Sequence, residues 1–223
     1  RPLHERNPRE FCAIVIGGCL LSFNAGFVNA VTLIISGFTV SHVTGSTTKA
    51  AILLYKGSYI AMSKLIVLIG CFIFGSMLSA MLTHHQTFHL GREYNRIFLL
   101  GSFFLGLGCV FRVYLPEYQF YALCAAVTCG LQNAMTTRYS NNILRTTHLT
   151  GTATDIGIVL GHLTLGNKKD QWKLYLLVPM YISFFLGGLI GAVAEDKMGS
   201  EYSLYSSLFL FAGTGLIYMI YLS

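Results

Sequence analysis

Charge is what this sequence has least of. It carries 15 Lys and Arg and 9 Asp and Glu in 223 residues, or 11%, where a soluble domain carries roughly 25%. Proline numbers 4 and tryptophan 1, which excludes collagen-like and Pro-rich chains. The six cysteines, Cys12, Cys19, Cys71, Cys109, Cys124 and Cys129, all lie in apolar runs and none forms a C-x-x-C pair. They are expected to be buried thiols, with no disulfide framework and no metal or redox role. What fills the space is apolar. The hydrophobic residues make up 54% and the mean hydropathy is +0.61, more than a soluble fold of this size could hide. Long apolar runs, not alternating ten-residue segments, predict an all-α membrane protein. Its first partner is then the lipid bilayer, and no nucleic-acid partner is expected.

Eight apolar segments can be drawn, over Cys12–Ser36, Val43–Tyr55, Leu65–Thr83, Ile97–Leu115, Tyr118–Thr136, Leu149–Gly166, Leu174–Ala194 and Leu204–Leu222. Six are long and nearly free of charge, and about 20 helical residues cross a ~30 Å hydrocarbon core, so six secure spans are expected. The second and sixth are shorter and carry Lys49, and Asp155 with His162; they are expected as helices of open depth. Pro116 is expected to start the fifth helix, and Pro179 falls inside the seventh. Trp172, Tyr175, Tyr114 and Tyr118 suit an interfacial belt or ordinary packing. The chain starts with Arg rather than Met, which suggests trimming or processing, and its first apolar run is too long for a signal peptide.

The most informative feature is a duplication. Gly26-Phe27-Val28-Asn29-Ala30 returns as Gly130-Leu131-Gln132-Asn133-Ala134, and His42-Val43-Thr44-Gly45-Ser46-Thr47-Thr48-Lys49 returns as His148-Leu149-Thr150-Gly151-Thr152-Ala153-Thr154-Asp155. Phe74–Ala80 parallels Leu186–Ala192, and Gly106 and Gly108 parallel Gly213 and Gly215. The expectation is one membrane domain of two tandem repeats, 11–115 and 116–223, of four helical segments each, behind a basic N-terminal segment, 1–10. Eight full spans would make the halves parallel. Six spans with one shorter polar helix per half would make them inverted. The Lys and Arg count favours the N-terminal side as the positive-inside one in both cases, nine against five or ten against four. Plasma and organelle membranes both stay open.

Repeats in membrane proteins place a site where the halves meet, often on broken helices. The two Thr-Gly blocks read as helix starts with Thr as N-cap and Gly for a tight entry. Their free N–H groups and positive dipole ends suit an anion or a polar solute group; ordinary surface caps are the alternative. Candidate site residues are therefore Thr44, Gly45, Thr47, Thr150, Gly151 and Thr152. Asn29 and Asn133 join them as amides inside apolar helices, either touching a solute or gluing helices together. Lys49 and Asp155 hold the same repeat position and could pair across the interface, or remain solvated. His42 and His148 are equivalent too, as proton carriers or as plain loop residues. His84, His85 and His89 lie near Arg92 without a ligand set, so no metal site and no cofactor are expected. The small-xxx-small pairs Gly75/Ser79, Gly187/Gly191 and Gly188/Ala192 point to close helix packing.

The blocks Gly26–Val31, His42–Thr47, Gly130–Ala134 and Thr146–Thr152 together resemble the YoaK-type family of multi-spanning bacterial membrane proteins, a domain of unknown function. The resemblance covers nearly the whole chain. It implies an integral membrane protein of permease type and supplies no reaction, substrate or catalytic residue. Family members usually carry Asp where Asn29 stands, so a position acidic there is neutral here. The leading expectation is a small-molecule transporter or permease with a polar site between two repeats. The alternative is an accessory subunit with protein partners in a large membrane complex. No Ser–His–Asp or H-E-x-x-H arrangement supports an enzyme.

Overall fold

The computed structural model describes residues 7–83, 91–114, 119–140 and 144–221. The expectations for Arg1, Arg6, Pro116, Tyr118 and the His84, His85 and His89 loop lie outside them. Within the described residues the chain is helical and has no strand. The helices are α1 (Pro8–Ser36), α2 (Val43–Tyr55), α3 (Tyr59–Leu82), α4 (Tyr94–Tyr114), α5 (Gln119–Tyr139), α6 (Leu149–Thr164), α7 (Leu174–Met198) and α8 (Ser200–Tyr221), with one 3₁₀ turn at Gln171–Lys173.

Among the described residues five helices are long and apolar enough to cross a membrane: Pro8–Ser36, Tyr59–Leu82, Tyr94–Arg112, Gln171–Met198 and Ser200–Tyr221. They mark a multi-pass membrane protein. The sixth expected span, α5, is not among them. It has 21 residues, but Thr128, Gln132, Asn133, Thr136, Thr137 and Arg138 interrupt its apolar run. Polarity is turned inward: Ser22, Ser79, Thr128, Gln132, Thr136 and Ser207 are buried, while Ile60, Ile73, Phe185 and Phe209 face outward. Hydrocarbon around the helices rewards this distribution and water would penalise it.

Local chemistry sets the ends of α1. Asn7 Oδ1 accepts from Glu10 N at 3.2 Å and its Nδ2 donates to Glu10 Oε2 at 3.0 Å. Pro8 takes the first helical position, where a missing N–H costs nothing. At the far end Gly37 adopts φ 71° and its N–H donates to Leu33 O, an αL stop that a side chain would strain.

Side-chain clusters show which helix ends share a face. Arg9 and Cys12 of α1, Tyr94 and Phe98 of α4, Met135 of α5, and Thr214 and Tyr218 of α8 line one apolar cavity. Trp172, just before α7, packs edge-on against Phe11 with ring centroids 6.2 Å apart. The starts of α1, α4 and α7 and the ends of α5 and α8 are therefore together. At the opposite face Phe38, just past α1, lines one cleft with Ser63 and Lys64 of α3 and Gln119 of α5, and Arg112 of α4 lines another with Glu201 of α8. It follows that α2 leaves and rejoins one face, and α6 leaves and rejoins the other. With 13 and 16 residues they extend only about 20 and 24 Å at 1.5 Å per residue.

The helix contacts have an exchange property. Replacing α1–α4 by α5–α8 in order, and the reverse, turns α1·α7 into α3·α5, α1·α8 into α4·α5, α2·α3 into α6·α7 and α3·α4 into α7·α8. The remaining substantial pairs, α1·α5 and α4·α8, map onto themselves. The two most extensive crossings, α1·α7 and α3·α5, are built on glycine. A Cβ on Gly26 would sit 2.1 Å from Phe184 O and one on Gly187 1.9 Å from Phe23 O; on Gly130 it would sit 2.0 Å from Phe72 O and on Gly75 2.0 Å from Val127 O. Backbone touches backbone at both crossings, so no side chain can yield.

Gly187→Ala and Gly75→Ala are therefore expected to force helices apart, each costing about 1–3 kcal/mol as in overpacked cores. Gly70→Ala and Gly213→Ala, where a Cβ meets nothing, are expected to leave the thermal melting temperature in detergent unchanged. Equal melting of all four variants would contradict the crossings.

Candidate functional site

The site grows from two asparagines. Asn29 lies seven residues before the end of α1 (36 − 29), hence about 10 Å below it. Its Oδ1 accepts from Val40 N at 3.0 Å and Ser41 N at 3.3 Å. Asn133 Oδ1 likewise accepts from Thr147 N and Thr146 Oγ1, both at 3.1 Å, and its Nδ2 donates to Thr147 Oγ1. After Gly37 the chain folds back beside α1 to reach Asn29, and only then does α2 begin. From there α2 runs outward again, since Lys49 Nζ lies 3.4 Å from Gly37 O and 5.2 Å over the Phe38 ring.

The helix starts differ from the expected capping. His42 and His148, not the threonines, stand at the N-cap positions, and neither side chain makes a capping bond. Thr47 and Thr48 Oγ1 donate back to Val43 O and Thr44 O, and Thr152 and Thr154 Oγ1 to His148 O and Thr150 O. These hydroxyls are spent on their own helices. The glycines make room: a Cβ on Gly45 would be 2.5 Å from His42 Nδ1, and one on Gly151 3.3 Å from His148 Nε2. Each imidazole folds over the first turn of the helix it precedes. The intrahelical ladder starts with Ser46 N to His42 O and Thr152 N to His148 O, so three N–H groups precede it in each helix.

Both starts open on one cavity of about 730 Å³. It brings together Asn29 with Asn133, His42 with His148, Thr44 with Thr150, and also Phe72 with Phe184, pairs related by the sequence duplication. Six of the twelve candidates thus line it. Gly45, Gly151, Thr47, Thr152, Lys49 and Asp155 do not. Lys49 is held at the end of α1 and Asp155 is exposed on α6; the expected proximity of Lys49 and Asp155 to the cavity, and their pairing, is corrected by the outward run of both helices, which carries these residues away from it.

Sequence reasoning missed the cavity's cations. Arg138 and Arg145 line it. Arg138 Nη1 donates to Thr83 O at 2.7 Å. Arg145 Nη1 lies 3.0 Å from His148 Nδ1; guanidinium only donates, so this imidazole nitrogen accepts. Both arginines fall outside the repeated blocks and read as loop charges; the only sequence signal was their closeness to Asn133 and His148. Gln132 was missed as well. Its Nε2 donates to Leu21 O and Thr146 Oγ1, both at 2.8 Å, tying α1, α5 and the entry to α6.

A family model described as "Protein of unknown function (DUF1275)" matches residues 17–217, and the YoaK-type resemblance falls within that family. No curated protein and no solved structure matches the chain.

Asn29 holds its loop through Oδ1, which a carboxylate also offers. Asn29→Asp is expected to keep the melting temperature near that of the parent. Asn29→Leu leaves two N–H groups without their acceptor and is expected to cost about 1–3 kcal/mol for each. A Leu variant as stable as the parent would contradict this role.

Proposed function

The chain belongs to the DUF1275 family, whose description assigns no activity, and from that premise we propose that it is a permease whose solute occupies the cavity between two inverted halves. Residues 11–115 form one half and 116–223 the other. In this reading α1, α3 and α4 cross the membrane, as do α5, α7 and α8, and α2 and α6 are re-entrant half-helices entering from opposite faces. α5 tolerates its polar residues because they face protein and cavity, not lipid.

One observation carries the reading: residues from corresponding positions of both sequence copies line a single polar cavity. A protein that only fills space in a complex has no need of a 730 Å³ polar chamber at the meeting point of two helix starts. Rocking of one half against the other around a fixed site would open it alternately to each side. The exchange of α1·α7 for α3·α5 supports such a motion, since the same contact set serves both orientations. Charge supports the orientation. Arg9, Arg92, Arg96, Arg138, Arg145, Lys168, Lys169 and Lys173 sit toward the face where α1 starts, against Lys49, Lys56, Lys64, Arg112 and Lys197 toward the other. The N-terminal face is then the positive-inside one.

The test needs no knowledge of the solute. Thr150→Cys is placed in a background with the six native cysteines replaced by serine or alanine, and a membrane-impermeant thiol reagent is applied from each side in sealed vesicles. Labelling from both sides is expected. A cysteine reached from neither side would mark a sealed chamber and favour the accessory-subunit reading.

A further inference from the structure

Resting on that permease reading, we infer that the solute is a small anion bearing carboxylate- or phosphate-type oxygens. Both formally charged residues lining the cavity are cationic: Arg138 and Arg145. No Asp or Glu is among the described lining residues. A cation would meet two guanidinium groups with no counter-charge, in surroundings where low-dielectric walls strengthen the repulsion.

Arginine also suits the ligand by shape. A guanidinium has five N–H donors in a planar fork that matches two oxygens of one carboxylate or phosphate. The bonds to Thr83 O and to His148 Nδ1 each use a single Nη1 and anchor the forks at the chamber wall. Arg145 also fixes the imidazole: because Nδ1 accepts, a neutral His148 carries its hydrogen on Nε2, a further donor. The first turns of α2 and α6 add their N–H groups and positive dipole ends on two sides. Donors therefore prevail at charged and helix-start positions alike.

The two arginines also have no charged counterpart in the other sequence copy. The copy offsets of 104 and 106 place Ile34 opposite Arg138 and Thr39 opposite Arg145. Both cations of the described lining thus come from one sequence copy, and the corresponding positions of the other copy are uncharged. A packing role alone does not call for this asymmetry, whereas an off-centre anion site does.

The experiment compares two thiol reagents of similar size at Thr150→Cys, an anionic sulfonatoethyl and a cationic trimethylammonium methanethiosulfonate, each normalised to its rate with free mercaptoethanol. The expected anionic-to-cationic ratio exceeds that of the free thiol by about tenfold or more, in line with focusing by a cleft of one sign. Arg145→Gln should lower the ratio and Arg145→Lys, which keeps the charge, should restore it. Arg138→Gln adds a second reading where that variant folds. Sulfate, inorganic phosphate or succinate should slow labelling of the parent cysteine where glycerol and choline do not, and which of them acts separates phosphate-type from carboxylate-type solutes. A ratio at or below that of the free thiol, or one unmoved by Arg145→Gln, overturns the anion assignment. So does equal protection by choline. Labelling from both sides with such a ratio leaves the permease reading standing, and no labelling from either side removes that reading instead.

Discussion

Two amide oxygens hold the centre of this molecule. Irregular backbone at membrane depth is unstable unless each N–H and C=O has a partner, because hydrocarbon supplies none; an unpaired amide costs about 4–8 kcal/mol on water-to-alkane scales. Asn29 and Asn133 supply acceptors for the segments that lead into α2 and α6. With those segments fixed, each short helix starts inside the body and leaves by the face at which its chain segment arrived. The cavity is the space left between the two starts.

A second constraint places the starts opposite each other. α1 must cross α7, and α3 must cross α5, with backbone against backbone at Gly26, Gly187, Gly130 and Gly75. Lipid offers no hydrophobic drive toward helix association, so close packing and interhelical hydrogen bonds must supply it. Ser76 Oγ donating to Gly130 O at 3.2 Å and Gln132 Nε2 donating to Leu21 O at 2.8 Å are such bonds. α1, α3 and α4 each pack most closely on a helix from beyond residue 115, α7, α5 and α5 again, so the two parts of the chain are interlaced, while α2 packs on α3.

Part of this was legible in the sequence, in its apolar runs and in the blocks that recur along it. The eight helical segments, the pairing of Asn29 with Asn133 and of Thr44 with Thr150 around one cavity, and the close packing at Gly75 and Gly187 could be read from spacing. The capping could not. Thr is a good N-cap in general, but here His42 and His148 hold that position because Gly45 and Gly151 leave space for their rings, a fit visible only in three dimensions. Lys49 and Asp155 were misplaced for a related reason: α2 and α6 leave the cavity toward opposite faces, so matching sequence positions along them carry the two residues apart. Arg138 and Arg145 were invisible to a repeat-based reading since they have no counterpart. The polar run of α5 was read as an apolar span because its length satisfied the expectation, whereas the residues that interrupt it face protein, and Asn133, Thr137 and Arg138 among them line the cavity.

The inverted arrangement of the halves underlies everything proposed for the cavity, and the loops after the two short helices report on it directly. Single cysteines at Gly57, between α2 and α3, and at Asn167, after α6, can be labelled in sealed vesicles of known orientation. Inverted halves with re-entrant α2 and α6 put these positions on opposite sides of the membrane, so an impermeant reagent should reach one from outside and the other only from inside. Labelling of both from the same side would mean that α2 and α6 cross the bilayer in full, and would contradict the inverted architecture.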